Sequence, residues 1–305
     1  MFAWFSHPSQ HLHDPGPGHP ECPGRLGAID AALAGRPDLV AARVSHVAPR
    51  ATEAQLRRVH VAVHVARVHD ASPRDGLVVL DPDTKMSPAS LEAGLTAAGA
   101  CVAAVDAVLT GPVRRAFCAV RPPGHHATPV EAMGFCLFDS VAVAAAHALE
   151  VHGLSRVAIV DFDVHHGNGT EDIFRDRADA MVCQTFQSPQ YPNLPFAQND
   201  RRLVNVPLRA GTGSDAFRRA VREAWLPALH AYQPELVLVS AGFDAHRDDP
   251  IGGLRLDEAD YTWVTAQLRE VAERHAGGRI VSSLEGGYDL DALGRCVVAH
   301  LEGLA

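Results

Sequence analysis

The sequence predicts an α/β fold, a doubly wound and mainly parallel β-sheet flanked by helices, as a single domain over residues 1–305. Three observations lead there. Short β-rich apolar runs recur along the chain, each ends in a polar, glycine-rich cluster, and helical stretches separate them. The runs are apolar on both faces, which suits strands buried between two helical layers.

The elements can be read in order. The opening segment "MFAWFSHPSQHLHDPG" has neither a basic segment nor a continuous apolar core, so no secretory leader is expected. The Pro-, Gly- and His-rich stretch "HLHDPGPGHPECPGRL" reads as a long loop before the helix "LGAIDAALAG". The most apolar window, "AGLTAAGACVAAVDAVLTG", is alanine-rich and interrupted by Asp106, which marks a buried helix rather than a membrane span. Then "RAFCAV" runs into "RPPGHHA", and "SVAVAAAHALEVHG" forms a helix. "RVAIV" runs into "DFDVHHGNG", and "ELVLVS" into "AGFDAHRDDP". The helix "YTWVTAQLREVAERHAGG" stops at its glycines, and "RIVSSL" leads into "EGGYDL". Ligands of such folds bind beyond the carboxyl ends of the strands, so the four polar clusters are expected to share one composite site.

Composition narrows the function classes. With 27 Lys and Arg against 36 Asp and Glu, the formal net charge is −9, which argues against a nucleic-acid or anionic-membrane partner. The six cysteines are scattered without a CxxC pair, so reduced, buried thiols are expected rather than a disulfide framework. A cytoplasmic enzyme or binding protein is the expectation, and self-association is left open.

The stretch "AIVDFDVHHGNGT" is the most informative. In extended backbone alternate side chains share a face, so Asp161, Asp163 and His165 point one way while Phe162 and Val164 point the other. An Asp and a His two residues apart can grip one divalent metal, and Asp244, also just past a strand, is the best third ligand. One His and two carboxylates leave a position open, as in catalytic rather than structural zinc sites. An isolated DxH is most often a cap or a surface cluster; the coincidence of four clusters reverses that reading. The adjacent His125 and His126 sit on a Pro/Gly loop free to aim both rings into a pocket. Tyr288 follows two glycines, which permit close backbone approach, and its hydroxyl suits a developing oxyanion.

Taken together, "RPPGHHA…MGFCLF", "DFDVHHGNGT", "AGFDAHRDDP" and "EGGYDL" resemble the signatures of the histone deacetylase family, within the arginase–deacetylase fold. "GHPECPGRL" and "DTKMSPASLEAGLTAAGA" extend the resemblance over nearly the whole chain, and Asn168 with the motif order is similar to the class II-like bacterial amidohydrolase branch. The resemblance implies zinc on Asp163, His165 and Asp244, a histidine pair of His125 and His126, and Tyr288 as carbonyl polariser. It implies that Asp161 hydrogen-bonds His125, that Asn168 orients His126, and that a monovalent cation, potassium, lies near Asp161 and His165. An ionised Asp161 favours cationic His125, whereas a neutral Asn168 does less for His126; two like groups separated in pKa take separate roles.

The same resemblance implies an acyl-lysine tunnel walled by Phe135 and Tyr191, with Gly134 and Gly287 letting the wall come close. Arg25 is similar to an arginine of the inner cavity, although a surface ion pair is an arginine's commoner fate. Asp83 is similar to a rim residue that holds substrate backbone. Polyamine-selective relatives carry a carboxylate at the tunnel mouth, where this chain has Ile251, so an acyl-lysine peptide or protein is favoured over a small acetylated amine. Asp139 and Ser140 stand where relatives have two asparagines. A two-manganese ureohydrolase shares the fold, but Gly167 and His246 replace carboxylates it would need. A degenerate acyl-lysine-binding scaffold is disfavoured because every expected catalytic position is filled.

Overall fold

The computed structural model describes all 305 residues. Ten strands occur in chain order: β1 (Phe2–Ser6), β2 (Arg43–Val47), β3 (Val78–Val79), β4 (Lys85–Met86), β5 (Arg115–Cys118), β6 (Val157–Asp161), β7 (Ala180–Gln187), β8 (Leu203–Leu208), β9 (Leu236–Ala241) and β10 (Ile280–Leu284). Eight of them form one sheet in the order β2-β1-β5-β10-β9-β6-β7-β8, with every neighbouring pair parallel. The remaining two, β3 and β4, make a small antiparallel hairpin. The chain thus has the parallel sheet and flanking helices expected of the arginase–deacetylase fold.

Alternation along β6 shows how sequence sets the layers. Ala158 and Val160 point into one apolar cluster, Val157 and Ile159 into the other. Each cluster contains 41 buried residues, so both sheet faces are covered equally and the strands must be apolar throughout. One face is covered chiefly by the helices Gly24–Ala34, Glu258–His275 and Leu290–Leu304, the other by Ser90–Thr110 and Ser140–Glu150.

The helix Ser90–Thr110 is long and apolar enough to cross a membrane, yet 72% of its apolar window is buried inside the fold. Its small residues explain the burial: a Cβ on Gly99 would lie 2.0 Å from the carbonyl oxygen of Pro49, so the segment after β2 packs directly on the helix backbone.

The strand order positions the site. The four strands that precede the polar clusters, β5, β10, β9 and β6, are contiguous at the sheet centre. Their carboxyl ends place all four clusters side by side.

Candidate active site

The three expected ligands converge. Ligating atoms of Asp163, His165 and Asp244 all lie within 4.8 Å of one another, and all three residues are buried. β6 ends at Asp161, but the alternation persists beyond it: Phe162 and Val164 pack into the apolar core while Asp163 and His165 turn to the site. The remaining oxygens are tied down by backbone. The amides of His165 and Gly286 donate to Oδ1 and Oδ2 of Asp163, at 2.9 and 2.8 Å, and that of Val164 donates to Oδ1 of Asp244 at 2.8 Å.

This donor set fits a divalent metal. Oδ2 of Asp244 is buried, lies 3.2 Å from Nδ1 of His165 and takes no hydrogen bond, an expensive state for a carboxylate oxygen without a cation. Burial and then the neighbouring Asp163 carboxylate push Asp244 up to about 7. Burial opposes charge on His165, but the two carboxylates outweigh it and raise the imidazole to about 10. Two anions packed this closely call for positive charge between them. Gly286 is required here, because a Cβ would stand 2.0 Å from Oδ2 of Asp244 and 2.6 Å from Oδ2 of Asp163.

The histidine pair is differentiated by its partners. Nδ1 of His125 lies 2.9 Å from Oδ2 of Asp161. Burial disfavours charge there, yet Asp163 and Asp161 more than compensate and hold His125 well above the ordinary imidazole value. His126 faces the opposite balance: burial, then the positive charges of His125 and His165, hold it well below. Nδ1 of His126 lies 2.8 Å from Oδ1 of Asn168. The Asn168 amide nitrogen is turned to the His126 carbonyl and to Sδ of Met133, both at 3.4 Å, so its oxygen is the atom that faces the ring. Nδ1 of His126 therefore carries the proton, and Nε2 presents a lone pair.

A cavity of about 170 Å³ opens above the cluster, lined by Asp83, His126, Gly134, Phe135, His165, Tyr191, Ile251 and Tyr288. Phe135 and Tyr288 meet edge to face at 5.8 Å, and Tyr191 packs edge-on against His126 at 5.0 Å. Gly134 has φ +55°, and a Cβ there would come within 2.4 Å of the His126 ring and 2.9 Å of Tyr191. Phe135 itself has φ +69°, a strained conformation for a bulky residue; its amide is held by the hydroxyl of Thr84 at 3.0 Å. Gly287 does not line this cavity: a Cβ there would meet Leu293 and Phe243 in the core. Asp83 is exposed at the mouth beside Ile251.

Arg25 is fully buried rather than a surface residue. It donates to the carbonyls of Gly287 (2.7 Å) and Glu285 (2.5 Å), and its guanidinium lies 5.0 Å from the centre of the Tyr288 ring. Glu21 anchors it at 3.1 Å and also binds Arg121 at 2.5 Å, with all three side chains sealed from solvent. His246 turns toward Glu258 and Cys296 on the two C-terminal helices. Asp139 caps the helix Ser140–Glu150 and accepts the hydroxyl hydrogen of Thr170 at 2.6 Å; burial pushes it up to about 7.

Several supporting residues were not singled out from sequence. Glu285 accepts the amides of Gly124 and His125 (2.6 and 3.2 Å) beneath the histidine pair, and burial pushes it up to about 8. Asp249 accepts the amides of Tyr288 (2.7 Å) and Ile251 (2.9 Å), so one carboxylate sets two tunnel residues. Both acids sit inside recognised motifs, "EGGYDL" and "DDPIGG", and that placement was the available signal.

Comparison with known proteins agrees with this geometry. The family model described as the histone deacetylase domain matches residues 19–304. A histone deacetylase-like amidohydrolase of Pseudomonas aeruginosa is 41% identical over 265 residues, covering 85% of this chain and 70% of that protein. Chloroplastic histone deacetylase 14 of Arabidopsis thaliana is 35% identical over 307 residues, covering 94% of this chain and 73% of that protein. The crystal structure of the HDA15 HD domain superposes with a TM-score of 0.93 at 34% identity, over 100% of this chain and 89% of that one. With nearly the whole chain matched and the motif residues gathered at one end of the sheet, this protein belongs to the histone deacetylase family.

Proposed function

We propose that residues 1–305 form one catalytic domain, a zinc-dependent amidohydrolase that removes acetyl or another short acyl group from lysine side chains of peptides or proteins. The observation that carries the reading is the buried Asp163, His165 and Asp244 cluster at the base of a narrow, aromatic-walled cavity. One His and two carboxylates suit a catalytic zinc site, and when bound the ion supplies Lewis acidity toward a carbonyl oxygen and toward water.

The chain's own groups perform the remaining tasks. Phe135 and Tyr191 clasp the aliphatic stem of an acyl-lysine and exclude water from it. Nε2 of His126, held as a lone pair by the Nδ1–H···Asn168 hydrogen bond, takes a proton from attacking water and returns it to the departing amine. His125 stays cationic through Asp161 and stabilises negative charge. The Tyr288 hydroxyl donates to the oxyanion as the carbonyl carbon becomes tetrahedral. Burial holds that phenol well above its ordinary pKa, so it keeps its proton. A potassium ion near Asp161 and His165 is part of the same reading and draws its support from the family resemblance.

A second reading, an acetylpolyamine amidohydrolase, draws on one observation. Asp83 is the single carboxylate exposed at the tunnel mouth and would meet a distal ammonium. Ile251 beside it offers no such pairing, which favours acyl-lysine. Turnover of acylated lysine peptides against acetylated spermidine and putrescine, each with and without chelator, tests the choice. Chelator-sensitive cleavage of the peptides at the higher kcat/KM is expected; preference for the polyamines would overturn the peptide reading.

A further inference from the structure

We propose that Thr84 is a positioning residue of the tunnel: its hydroxyl hooks the tip of a tight hairpin and so fixes Phe135 as a wall. The consequence for catalysis rests on the acyl-lysine reading; the hook rests on geometry alone.

The hairpin spans residues 133–136. Met133 and Cys136 exchange both of their backbone hydrogen bonds, at 3.1 and 2.9 Å, which leaves Gly134 and Phe135 as the two turn residues. Both have positive φ, +55° and +69°, as in type I′ turns. Those turns favour Asn-Gly, because a side chain at positive φ is strained, a bulky one most of all. Phe is a costly choice at this position, yet its ring lines the cavity. Strain of this kind persists only where the surroundings hold it in place.

The holding group is Thr84. The hairpin's closing bonds use the amides of Met133 and Cys136, so the Phe135 N–H has no partner within the turn. The Thr84 hydroxyl, 51 residues away in the chain, accepts it at 3.0 Å.

Thr84 is itself fixed. It is buried, its amide donates to Oδ1 of Asp81 at 2.6 Å, and its carbonyl accepts the amide of Leu80 at 2.9 Å. The same Asp81 oxygen accepts the amide of Asp83 at 2.8 Å. One turn between β3 and β4 therefore sets the carboxylate at the mouth and, through Thr84, the Phe135 wall. His19 braces both: its ring meets Phe135 edge to face at 4.7 Å, and its Nε2 lies 3.4 Å from the Asp83 carbonyl oxygen.

A wall that clasps the aliphatic stem binds ground state and transition state alike. Loosening it should raise KM and spare kcat. General unfolding would instead lower the active fraction, and with it the apparent kcat, at unchanged KM.

The test pairs Thr84→Val, which keeps the shape and removes the acceptor, with Thr84→Ser, which keeps the acceptor. Hydrogen exchange resolved to single amides, in protein without substrate, is measured beside steady-state kinetics on an acetyl-lysine peptide. In Thr84→Val the Phe135 amide should exchange about tenfold faster and KM should rise about tenfold, the scale of one lost hydrogen bond. The Cys136 amide and kcat should stay close to wild type, and Thr84→Ser should restore both Phe135 exchange and KM. The proposal is overturned by unchanged Phe135 exchange in Thr84→Val, by a fall in kcat at constant KM, or by Thr84→Ser behaving as Thr84→Val does. If the wild type cleaves no acyl-lysine peptide, the substrate reading fails, and exchange at Phe135 alone decides for or against the hook.

Discussion

Nδ1 of His126 lies 2.8 Å from Oδ1 of Asn168, a neutral partner, whereas the adjacent His125 faces the carboxylate of Asp161 at 2.9 Å. One pair of histidines is thereby given two protonation preferences. Asn168→Asp would give His126 a charged partner and raise its pKa. The acid limb of the kcat/KM–pH profile should move up by about one unit or more, with activity lost below neutrality and recovered at higher pH. A limb that stays in place would show that His126 is not the base.

Tyr288 is placed by its backbone N–H, which donates a hydrogen bond to the Asp249 carboxylate, and by the Arg25 guanidinium 5.0 Å from its ring centre. Removing only its hydroxyl, Tyr288→Phe, should lower kcat on an acetyl-lysine peptide by about 10²–10³-fold with little change in KM, as for other oxyanion donors. Near-normal turnover would exclude the hydroxyl from the reaction.

The apolar Ile251 and the exposed Asp83 share the tunnel mouth. Ile251→Glu should raise the kcat/KM of acetylspermidine relative to an acetyl-lysine peptide by about tenfold, the equivalent of about 1.4 kcal/mol. Asp83→Asn should weaken peptide substrates if its carboxylate holds their backbone. Steady-state comparison of both substrates on both variants checks the pair; an unchanged ratio in Ile251→Glu would mean that this position does not read charge.

His60 and His300 are buried away from the site, and burial lowers each to about 3 from the ordinary 6.5. Nε2 of His60 accepts the Asp139 amide at 3.0 Å and so cannot take a proton without breaking that bond. Between pH 6.5 and 3 the unfolded chain binds more protons at both positions. Their contribution is therefore intact above about 6.5 and is lost as pH falls toward 3, at about 1.4 kcal/mol per pH unit for each. Urea midpoints should drop between pH 7 and 5, and His300→Gln should flatten the slope. Equal slopes in the two proteins would contradict the assignment.

Much of this was legible in sequence because the signals are local. Apolar runs capped by polar clusters report buried parallel strands, and the i, i+2 spacing of Asp163 and His165 survives past the end of β6. The supporting acids were harder to read. Glu21, Glu285 and Asp249 look like ordinary loop carboxylates until the fold brings up partners as distant as Arg121 and Gly124. Arg25 suffered the same ambiguity, since burial of an arginine depends on a carboxylate and two carbonyls arriving together. Gly287 was read as part of the tunnel wall, but its missing side chain makes room for Leu293 and Phe243 instead.

The measurement that bears most directly on the account is metal reconstitution of hydrolysis. Chelator-stripped protein should lose nearly all activity on an acetyl-lysine peptide and regain it with Zn²⁺, while Asp163→Asn, His165→Ala and Asp244→Asn should stay inactive however much zinc is added. Stripped protein that hydrolyses the peptide at the original rate would contradict the account.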